Sequence, residues 1–497
     1  MRRMGRLAEG QLGGWAGGGL NRTAVAMLLL SICPSARPPA LSAQALDRTK
    51  VPALPAPPSF RTPAVASAAL PNGIRLHVVE MREVPLVHIT VSVAGGSRLD
   101  GNQPGLATFM ANMLDEGAGS RDAASIAGEV AYLGATLSTG ASWDATAVTL
   151  RAPKRTLEAA VGLLADVVMR PSFLDAEVKR QRDLRLAQLI QQRDQPAALA
   201  TLAFNALVYP PAHPYHRSAT GDSASTAALD SATVRRFWER TVRPARTTVV
   251  VTGDISLTEA RALLGRWLGA WRPASGDDAV TPPATNPPSQ PAKVYLVDKP
   301  GAAQSVIRIG GPGVERSDSA YYTIEVMNTL LGGSFSSRLN TTLRETKGYT
   351  YGAGSGFSYR PLPGPFVAQA SVRTDVTDSS LVEFFREFKL LRDSLVSPEE
   401  LDRAKSYLAL GLAGDFETTG QVAAQLNGLL TYNLPLNYYD QYVPRVMAVT
   451  AADVQRVARR LIVPEQYTIV IVGDVEKIRP GIERLGIAPV AVTTAPM

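Results

Sequence analysis

The stretch Gly105–Gly117, GLATFMANMLDEG, decides the fold of the region around it. Its apolar residues recur at intervals of three and four, which is the spacing of one face of an α-helix. The pattern predicts an amphipathic helix that runs from one glycine to the next, and four side chains are candidates for the core: Phe109, Met110, Met113 and Leu114. The chemistry of this helix then depends on what its other face carries.

The segments around this helix have the alternation that is typical of strand pairs. Leu70-Pro-Asn-Gly73 is a turn signal, and the apolar residues after it predict strands over 74–78 and 86–93. Residues 135–152 predict a hairpin, and a helical pattern covers 175–193. Hairpin-like strand pairs between helices favour an α+β fold with a mainly antiparallel sheet over a doubly wound fold.

An internal repeat indicates that the chain contains two copies of this α+β unit. Residues 232–254 recur at 452–474, at a constant spacing of 220 residues. Three features keep this register across a helix, a turn and a strand: Arg236 matches Arg456, Pro244 matches Pro464, and Gly253-Asp254 matches Gly473-Asp474. We therefore expect two homologous domains, each a mainly antiparallel sheet with helices packed on it, that form a clamshell around a cleft.

Composition sets the predicted domain boundaries. The Pro- and Ala-rich residues 46–65 predict an extended lead-in, and residues 274–293 have the Pro, Ser and Asp content of a semi-rigid linker. The first domain is expected over 66–273 and the second over 294–480, with a tail at 481–497.

Residues 1–45 have the pattern of a targeting segment and are set apart from the fold. Four arginines precede the apolar run Thr23–Cys33, and small-residue cleavage patterns follow it. The run is shorter than the roughly 20 residues that span a bilayer. We expect a signal peptide, and hence a secreted or periplasmic protein with no stable membrane insertion after its removal. A mitochondrial presequence and a membrane anchor are the alternatives.

Charge and cysteine content exclude several functions. The formal net charge is +7, of which residues 1–45 contribute +4, and the remaining +3 is too small to argue for binding to nucleic acid. The sole cysteine, Cys33, lies in the expected leader, so a mature chain would have neither disulfides nor thiol catalysis. The sequence contains neither a G-x-S-x-G elbow nor a phosphate loop.

Three features together resemble the pitrilysin/insulinase family of zinc metallopeptidases, the inverzincins. They are the helix frame at Gly105, the two-copy layout whose strands end in Gly-Asp, and the stretch Leu343–Tyr351, LRETKGYTY. The resemblance covers about residues 66–480. In that family the first-domain helix carries H-x-x-E-H, whose histidines bind zinc while the glutamate activates the metal-bound water.

The family's zinc ligands are absent from the matching positions. The two histidine positions hold Thr108 and Asn112, and Ala111 stands where the water-activating glutamate would be. The third ligand, a glutamate, falls near Ala187 or Gln188. Thr, Asn and Gln are weak neutral ligands, and alanine is none. The resemblance therefore implies a degenerate metal site and no zinc cofactor in this chain.

The four histidines do not replace these ligands. His213-Pro-Tyr-His216 has a ligand-like spacing, but Pro214 breaks helical geometry and no nearby glutamate supports a site, so a loop feature is expected. His77 and His88 lie in strand patterns and are expected on a sheet face.

The family's second domain presents an arginine and a tyrosine to the substrate carbonyl at the first domain's zinc. Here these residues would be Arg344 and Tyr351. A helix over 339–347, closed by Gly348, would lead into the strand that holds Tyr351. The alternative is a surface arginine and a strand tyrosine with no special role.

Loss of the metal ligands with retention of this pair suggests a division of labour. We expect a non-catalytic subunit of a heterodimeric pitrilysin-type zinc peptidase, inactive alone, whose H-x-x-E-H-bearing partner holds the zinc. Its substrate would be an extended peptide, and the strand near 136–142 is a candidate to pair with it. The alternatives are an inert structural or peptide-binding clamshell, and an active peptidase with an unorthodox site.

Overall fold

Two six-stranded sheets, one in each half of the chain, carry the fold. The computed structural model describes residues 57, 59–273, 287 and 290–495. The strands of the first half are β1 (Ala66–Ala69), β2 (Arg75–Glu80), β3 (Leu86–Ala94), β4 (Gly117–Ala118), β5 (Arg121–Asp122), β6 (Thr136–Ala141), β7 (Ala145–Pro153) and β8 (Thr247–Gly253). Its helices are α1 (Leu106–Asn112), α2 (Ala123–Tyr132), α3 (Leu157–Met169), α4 (Asp175–Gln192), α5 (Pro196–Val208), α6 (Ser223–Ala227), α7 (Ser231–Thr241) and α8 (Leu257–Leu268).

The second half repeats this arrangement. Its strands are β9 (Lys293–Asp298), β10 (Gln304–Pro312), β11 (Thr350–Phe357), β12 (Pro365–Arg373), β13 (Thr468–Gly473) and β14 (Val490–Thr493). Its helices are α9 (Tyr321–Asn328), α10 (Arg338–Asn340), α11 (Thr377–Asp393), α12 (Pro398–Gly411), α13 (Thr419–Thr431), α14 (Tyr442–Met447), α15 (Ala451–Leu461) and α16 (Val475–Leu485).

The two sheets share the same order over five strands and differ in the sixth, which is β1 in the first sheet and β14 in the second. The order is β1-β2-β8-β3-β7-β6 in the first sheet and β14-β9-β13-β10-β12-β11 in the second. The strand that leads into Gly-Asp, β8 or β13, is parallel to one neighbour and antiparallel to the other. Apart from β14, which joins β9 in parallel, the other pairs are antiparallel. This topology confirms the expected α+β fold with two homologous halves, and it leaves β6 and β11 as edge strands.

Both faces of each sheet are covered, and the strands that lead into Gly-Asp are buried along almost their whole length as a result. Every residue of β8 is buried. Side chains alternate along it, so Val249 and Val251 pack in the core of the first half whereas Val250 points to the opposite face. That opposite face is covered by α13 of the second half, and the Thr252 hydroxyl donates a hydrogen bond to the Thr419 carbonyl over 2.7 Å.

The second sheet receives the equivalent cover from the first half. Helix α5 packs its apolar face, including Ala203, Phe204 and Val208, against Val470 and Val472 of β13. Burying a side chain as large as phenylalanine stabilises a fold by roughly 1.5–3 kcal/mol. Each half thus supplies the helix that the other half's sheet needs, and the described residues fall in one compact unit.

The structure corrects two sequence-based boundaries. The helix predicted to reach Gly117 ends at Asn112, because the following turns lead the chain into β4, where Gly117 has φ 151° and pairs with Asp122. Residues 481–497 were expected to be a tail. Instead α16 continues to Leu485 and β14 adds to the sheet, because β9 has an open edge that β14 pairs with.

Several of the segments predicted from the sequence lie partly or wholly outside the described residues. Residues 1–45 and most of the expected linker 274–293 lie outside the described residues, although the last linker residue, Lys293, begins β9. At the end of the expected lead-in, the ring of Phe60 packs 4.7 Å from that of Phe416, so this segment is docked on the second half. Within the described ranges, no helix is long and apolar enough to cross a bilayer.

Replacing Phe204 by alanine should destabilise the whole chain rather than α5 alone. Phe204 is fully buried between the halves, and deleting a buried phenylalanine ring costs about 3–5 kcal/mol. We expect a single cooperative thermal transition at a lower Tm, measured by calorimetry. Leu184→Ala on the exposed face of α4 is the control. An unchanged Tm, or a separate early transition of one half, would show that the two sheets do not depend on each other's covering helices.

Candidate functional site

The start of α1 is fixed by an aspartate five residues upstream. The two carboxylate oxygens of Asp100 accept hydrogen bonds from the amides of Gly105 and Ala107, each over 2.8 Å. Burial raises the pKa of Asp100 to about 7, although these hydrogen bonds act in the opposite direction. Gly105 has φ 86°, and a Cβ there would lie 2.6 Å from the Gly221 amide nitrogen, so only glycine fits.

The residues at the family's metal positions are engaged in other contacts or carry no ligand atom. The Thr108 hydroxyl, half-buried, donates to the Ala219 carbonyl over 2.7 Å. Ala111 is fully buried, and Asn112 is exposed at the last turn of the helix. Gln188 is exposed on α4, where its side-chain oxygen lies 3.4 Å from the Arg185 guanidinium. These four residues do not fit a zinc ion.

A cation lies on α4 where the family would place an acidic ligand. The guanidinium of Arg185, one turn before Gln188, donates to the Thr220 carbonyl over 2.8 Å, beside the carbonyl that Thr108 binds. Burial lowers the pKa of Arg185 from its usual value. A positive side chain here opposes the binding of a second cation. Among the described residues, no group of three or more His, Cys, Asp or Glu side chains is placed to hold a metal.

The histidines are held by local contacts. His213 accepts a hydrogen bond at Nδ1 from the Tyr215 amide over 3.1 Å, and its ring stacks on that of Tyr209 at 4.6 Å. His216 is bound through Nδ1 to the Tyr209 carbonyl, over 2.8 Å. Burial lowers the pKa of His213 to about 4, so this ring is neutral at pH 7. The His213–His216 segment is thus a packed loop beside α5.

Arg344 and Tyr351 lie at the two ends of one connected turn in the second half. The helix expected over 339–347 is instead the short α10 followed by a π-helical turn, Thr341–Thr346, that carries Arg344. Gly348 closes it with φ 63°, and its amide donates to the Arg344 carbonyl over 3.1 Å, as in an αL cap. The chain then enters β11.

The two side chains are both presented to solvent. The Arg344 guanidinium lies 4.5 Å from the centre of the exposed Phe335 ring and 3.3 Å from the exposed Glu345 carboxylate. Tyr351 lies in a bulge of β11, where the register slips between Thr350 and Ala353, and its side chain is 90% exposed. A tyrosine this exposed contributes little to the core, so packing does not account for its presence.

Buried polar groups hold this turn from behind. Asn340 donates to the Phe335 carbonyl over 2.7 Å and accepts from the Ala353 amide over 3.2 Å, which ties the turn to the bulge. Arg338 makes a bidentate pair with Glu400 of α12, at 2.6 and 2.7 Å. These partners were not predicted from the sequence. The one available signal was the polar run Ser336–Asn340 in front of the helical pattern.

The edge strand predicted near 136–142 exists as β6, and β7 is its one partner strand among the described residues. Helix α1 lies beside it, and the Thr139 hydroxyl donates to Asp115 just after that helix, over 3.3 Å. A peptide strand added to β6 would therefore run past the degenerate helix α1.

The fold and the α1 frame define a homologue of the two-domain zinc peptidases, and the family comparisons agree. Residues 78–210 match the model of the insulinase family, peptidase family M16, and residues 228–408 match the model described as the peptidase M16 inactive domain. The chain belongs to this family, as a member that lacks the H-x-x-E-H residues.

Relatives of known sequence or structure span most of the chain. An uncharacterized zinc protease of Mycobacterium tuberculosis is 26% identical over 439 residues, 83% of this chain and 95% of that protein. An uncharacterized zinc protease of Mycobacterium leprae is 28% identical over 292 residues, which are 59% of this chain and 65% of that protein. The crystal structure of the peptidase M16 inactive domain from Pseudomonas fluorescens matches with a TM-score of 0.77 at 28% identity, over 82% of this chain and 98% of that one.

Replacing Asp100 by asparagine should reduce the pH dependence of stability. Burial makes the folded state hold the Asp100 proton more tightly than the unfolded chain does, so this group's contribution to stability is lost as pH rises from about 4 through about 7. The variant should lose less stability than the parent between pH 5 and pH 8, by on the order of 2 kcal/mol.

Asp122→Asn is the matched control for this measurement. Asp122 also caps a helix, but it is exposed and its pKa is lowered, chiefly by its hydrogen bonds to Ser125. The control should therefore follow the parent over this pH range when Tm is compared at the two pH values. Equal pH dependence in all three proteins would show that the folded state does not raise the pKa of Asp100.

Proposed function

We propose that this chain is the non-catalytic subunit of a two-chain zinc peptidase of the insulinase family. It presents Arg344 and Tyr351 to a peptide that is cleaved at the zinc of an H-x-x-E-H-bearing partner. The observation that carries the proposal is a contrast between the two halves. The metal positions of α1 hold no usable ligands, whereas a braced turn in the second half presents an arginine and a tyrosine to solvent.

The chemistry of these two side chains suits the proposed role. Attack of water on a peptide carbonyl places negative charge on its oxygen, and hydrogen-bond donors aimed at that oxygen lower the barrier. Tyr351 offers a hydroxyl donor, and Arg344 offers a cationic fork that is weakly paired with an exposed glutamate. Both are held by short backbone turns, so little ordering is needed when a substrate arrives.

The edge strands support binding of an extended peptide. β6 has one unpaired edge and lies beside α1, so a substrate can pair with its backbone without disturbing the sheet. In the two-chain peptidase this strand would help to hold the peptide while the partner's metal acts on it. We also propose that the chain is exported to the periplasm or secreted, on the strength of the arginine-led apolar run Thr23–Cys33.

The test is a peptidase assay on the chain co-expressed with an H-x-x-E-H-bearing chain of the same family. Neither chain alone should be fully active, and the pair should cleave unstructured peptides. Tyr351→Phe and Arg344→Gln in this chain should each lower kcat of the pair by about 10²–10³-fold, the usual effect of losing one oxyanion donor.

Tyr132→Phe is the control, because Tyr132 is likewise 90% exposed but lies on α2 of the first half. The proposal fails if the two chains do not associate, or if Tyr351→Phe leaves the activity of the pair intact. Binding of extended peptides without activity in any pairing would favour the alternative of an inert peptide-binding clamshell.

A further inference from the structure

A pocket of about 300 Å³ in the second half has no role in the function proposed above. It lies between the residues that begin α9 and the segment that joins α13 to α14. The residues that give it its character are two arginines, three tyrosines and one aspartate: Arg316, Arg445, Tyr321, Tyr322, Tyr438 and Asp318. Its volume lies at the small end of the range of ligand pockets, roughly 300–1,000 Å³.

Arg316 is a buried cation with no acidic partner. The residue is 8% exposed, and it forms no ion pair with another residue in the described part of the chain. Its guanidinium carbon lies 3.5 Å from the ring centre of Tyr321 and 4.9 Å from that of Tyr438. Tyrosine faces offset part of the cost of burying a guanidinium, whereas an anion offsets more of it.

The acids nearest to this pocket do not supply that anion. Asp318 is already paired with Arg460 over 3.0 Å and also accepts from the Ala320 amide over 2.8 Å. Glu325 is within the electrostatic range of Arg316, but no ion pair joins these two described residues, and burial raises the pKa of Glu325. The cationic field of the pocket is thus left without a full counter-charge.

Arg445 and the tyrosine rings determine which kind of ligand would fit this pocket. The Arg445 guanidinium lies 5.4 Å from the ring centre of Tyr322. The rings of Tyr322 and Tyr438 are stacked at 5.7 Å with 13° between their planes. Each arginine lies against one ring of this aromatic pair, and both arginines line the pocket. A guanidinium fork matches the geometry of a planar carboxylate, and tyrosine rings favour an apolar or aromatic body.

We propose that this pocket binds a small organic carboxylate, whose anionic group lies at Arg316 and Arg445 and whose flat apolar body lies along Tyr322 and Tyr438. The inference is independent of the peptidase proposal, because neither Arg344 nor Tyr351 lines the pocket. A pocket of this kind would recognise the acid group of a metabolite or the carboxyl terminus of a short peptide.

Calorimetric titration of the full chain with benzoate, benzamide and inorganic phosphate tests the proposal. Benzoate should bind, and the neutral, isosteric benzamide should bind at least about tenfold more weakly, because it cannot form the charge-assisted bonds. Arg445→Gln should weaken benzoate binding by about tenfold, and Arg316→Met should abolish it. Arg479→Gln, an exposed arginine paired with Glu483 on α16, is the control and should bind as the parent does.

Each result decides the proposal. Absence of benzoate binding at millimolar concentration, equal binding of benzamide, or undiminished binding by Arg445→Gln would overturn it. Phosphate binding as tightly as benzoate would overturn the assignment to an organic carboxylate. Because Arg316→Met removes a buried side chain, its Tm is measured first; if it does not fold, Arg445→Gln alone decides. Comparing benzoate with N-acetylphenylalanine then separates a simple acid from a peptide carboxyl terminus.

Discussion

The reciprocal packing of α5 and α13 is the constraint on which the rest of this structure depends. Each sheet has apolar side chains on both faces, and its own half covers only one of them. An uncovered face of this kind would expose a row of valines to water, so neither half has a complete core without the other's helix. The two halves are therefore held in one arrangement by the hydrophobic effect.

This constraint explains how the metal face of α1 can differ from the family pattern without loss of the fold. The helix is held by Phe109 and Met110 in the core and by Asp100 at its start, and none of these contacts involves a metal. Threonine and asparagine at the two histidine positions, with alanine at the glutamate position, leave the buried face of the helix intact. The degenerate site is therefore compatible with a stable fold.

Buried contacts likewise fix the turn that carries Arg344 and Tyr351. Its exposed groups contribute little to stability, but the groups behind it are buried and paired: Asn340 reaches the bulge of β11, and Thr342 donates to Glu387 over 2.9 Å. Buried polar groups that are fully paired specify one geometry, because breaking any pair leaves an unsatisfied partner. The architecture thus fixes the direction of two solvent-facing side chains.

Local patterns predicted much of the fold, and non-local contacts account for what they missed. The 220-residue repeat and the strand patterns at 74–78, 86–93 and 135–152 predicted two matching sheets, because strand periodicity is a local property. The pattern of α5, PAALATLAFNALV, indicates an apolar helix but not which sheet it covers, since the partner strand β13 lies more than 250 residues away. The Arg338–Glu400 pair is also non-local, since 62 residues separate its partners. Arg344 and Tyr351 were predicted as candidates through family resemblance, and their role stays a prediction.

The central claim is that the first half keeps the shape of a zinc-peptidase domain without its metal chemistry. It is tested most directly by elemental analysis of the purified full-length chain after equilibration with zinc and removal of loosely bound metal. The ligand chemistry of Thr108, Ala111, Asn112 and Gln188 predicts far less than one zinc per chain. One zinc per chain, removed by a chelator together with a peptidase activity of the isolated chain, would contradict the account.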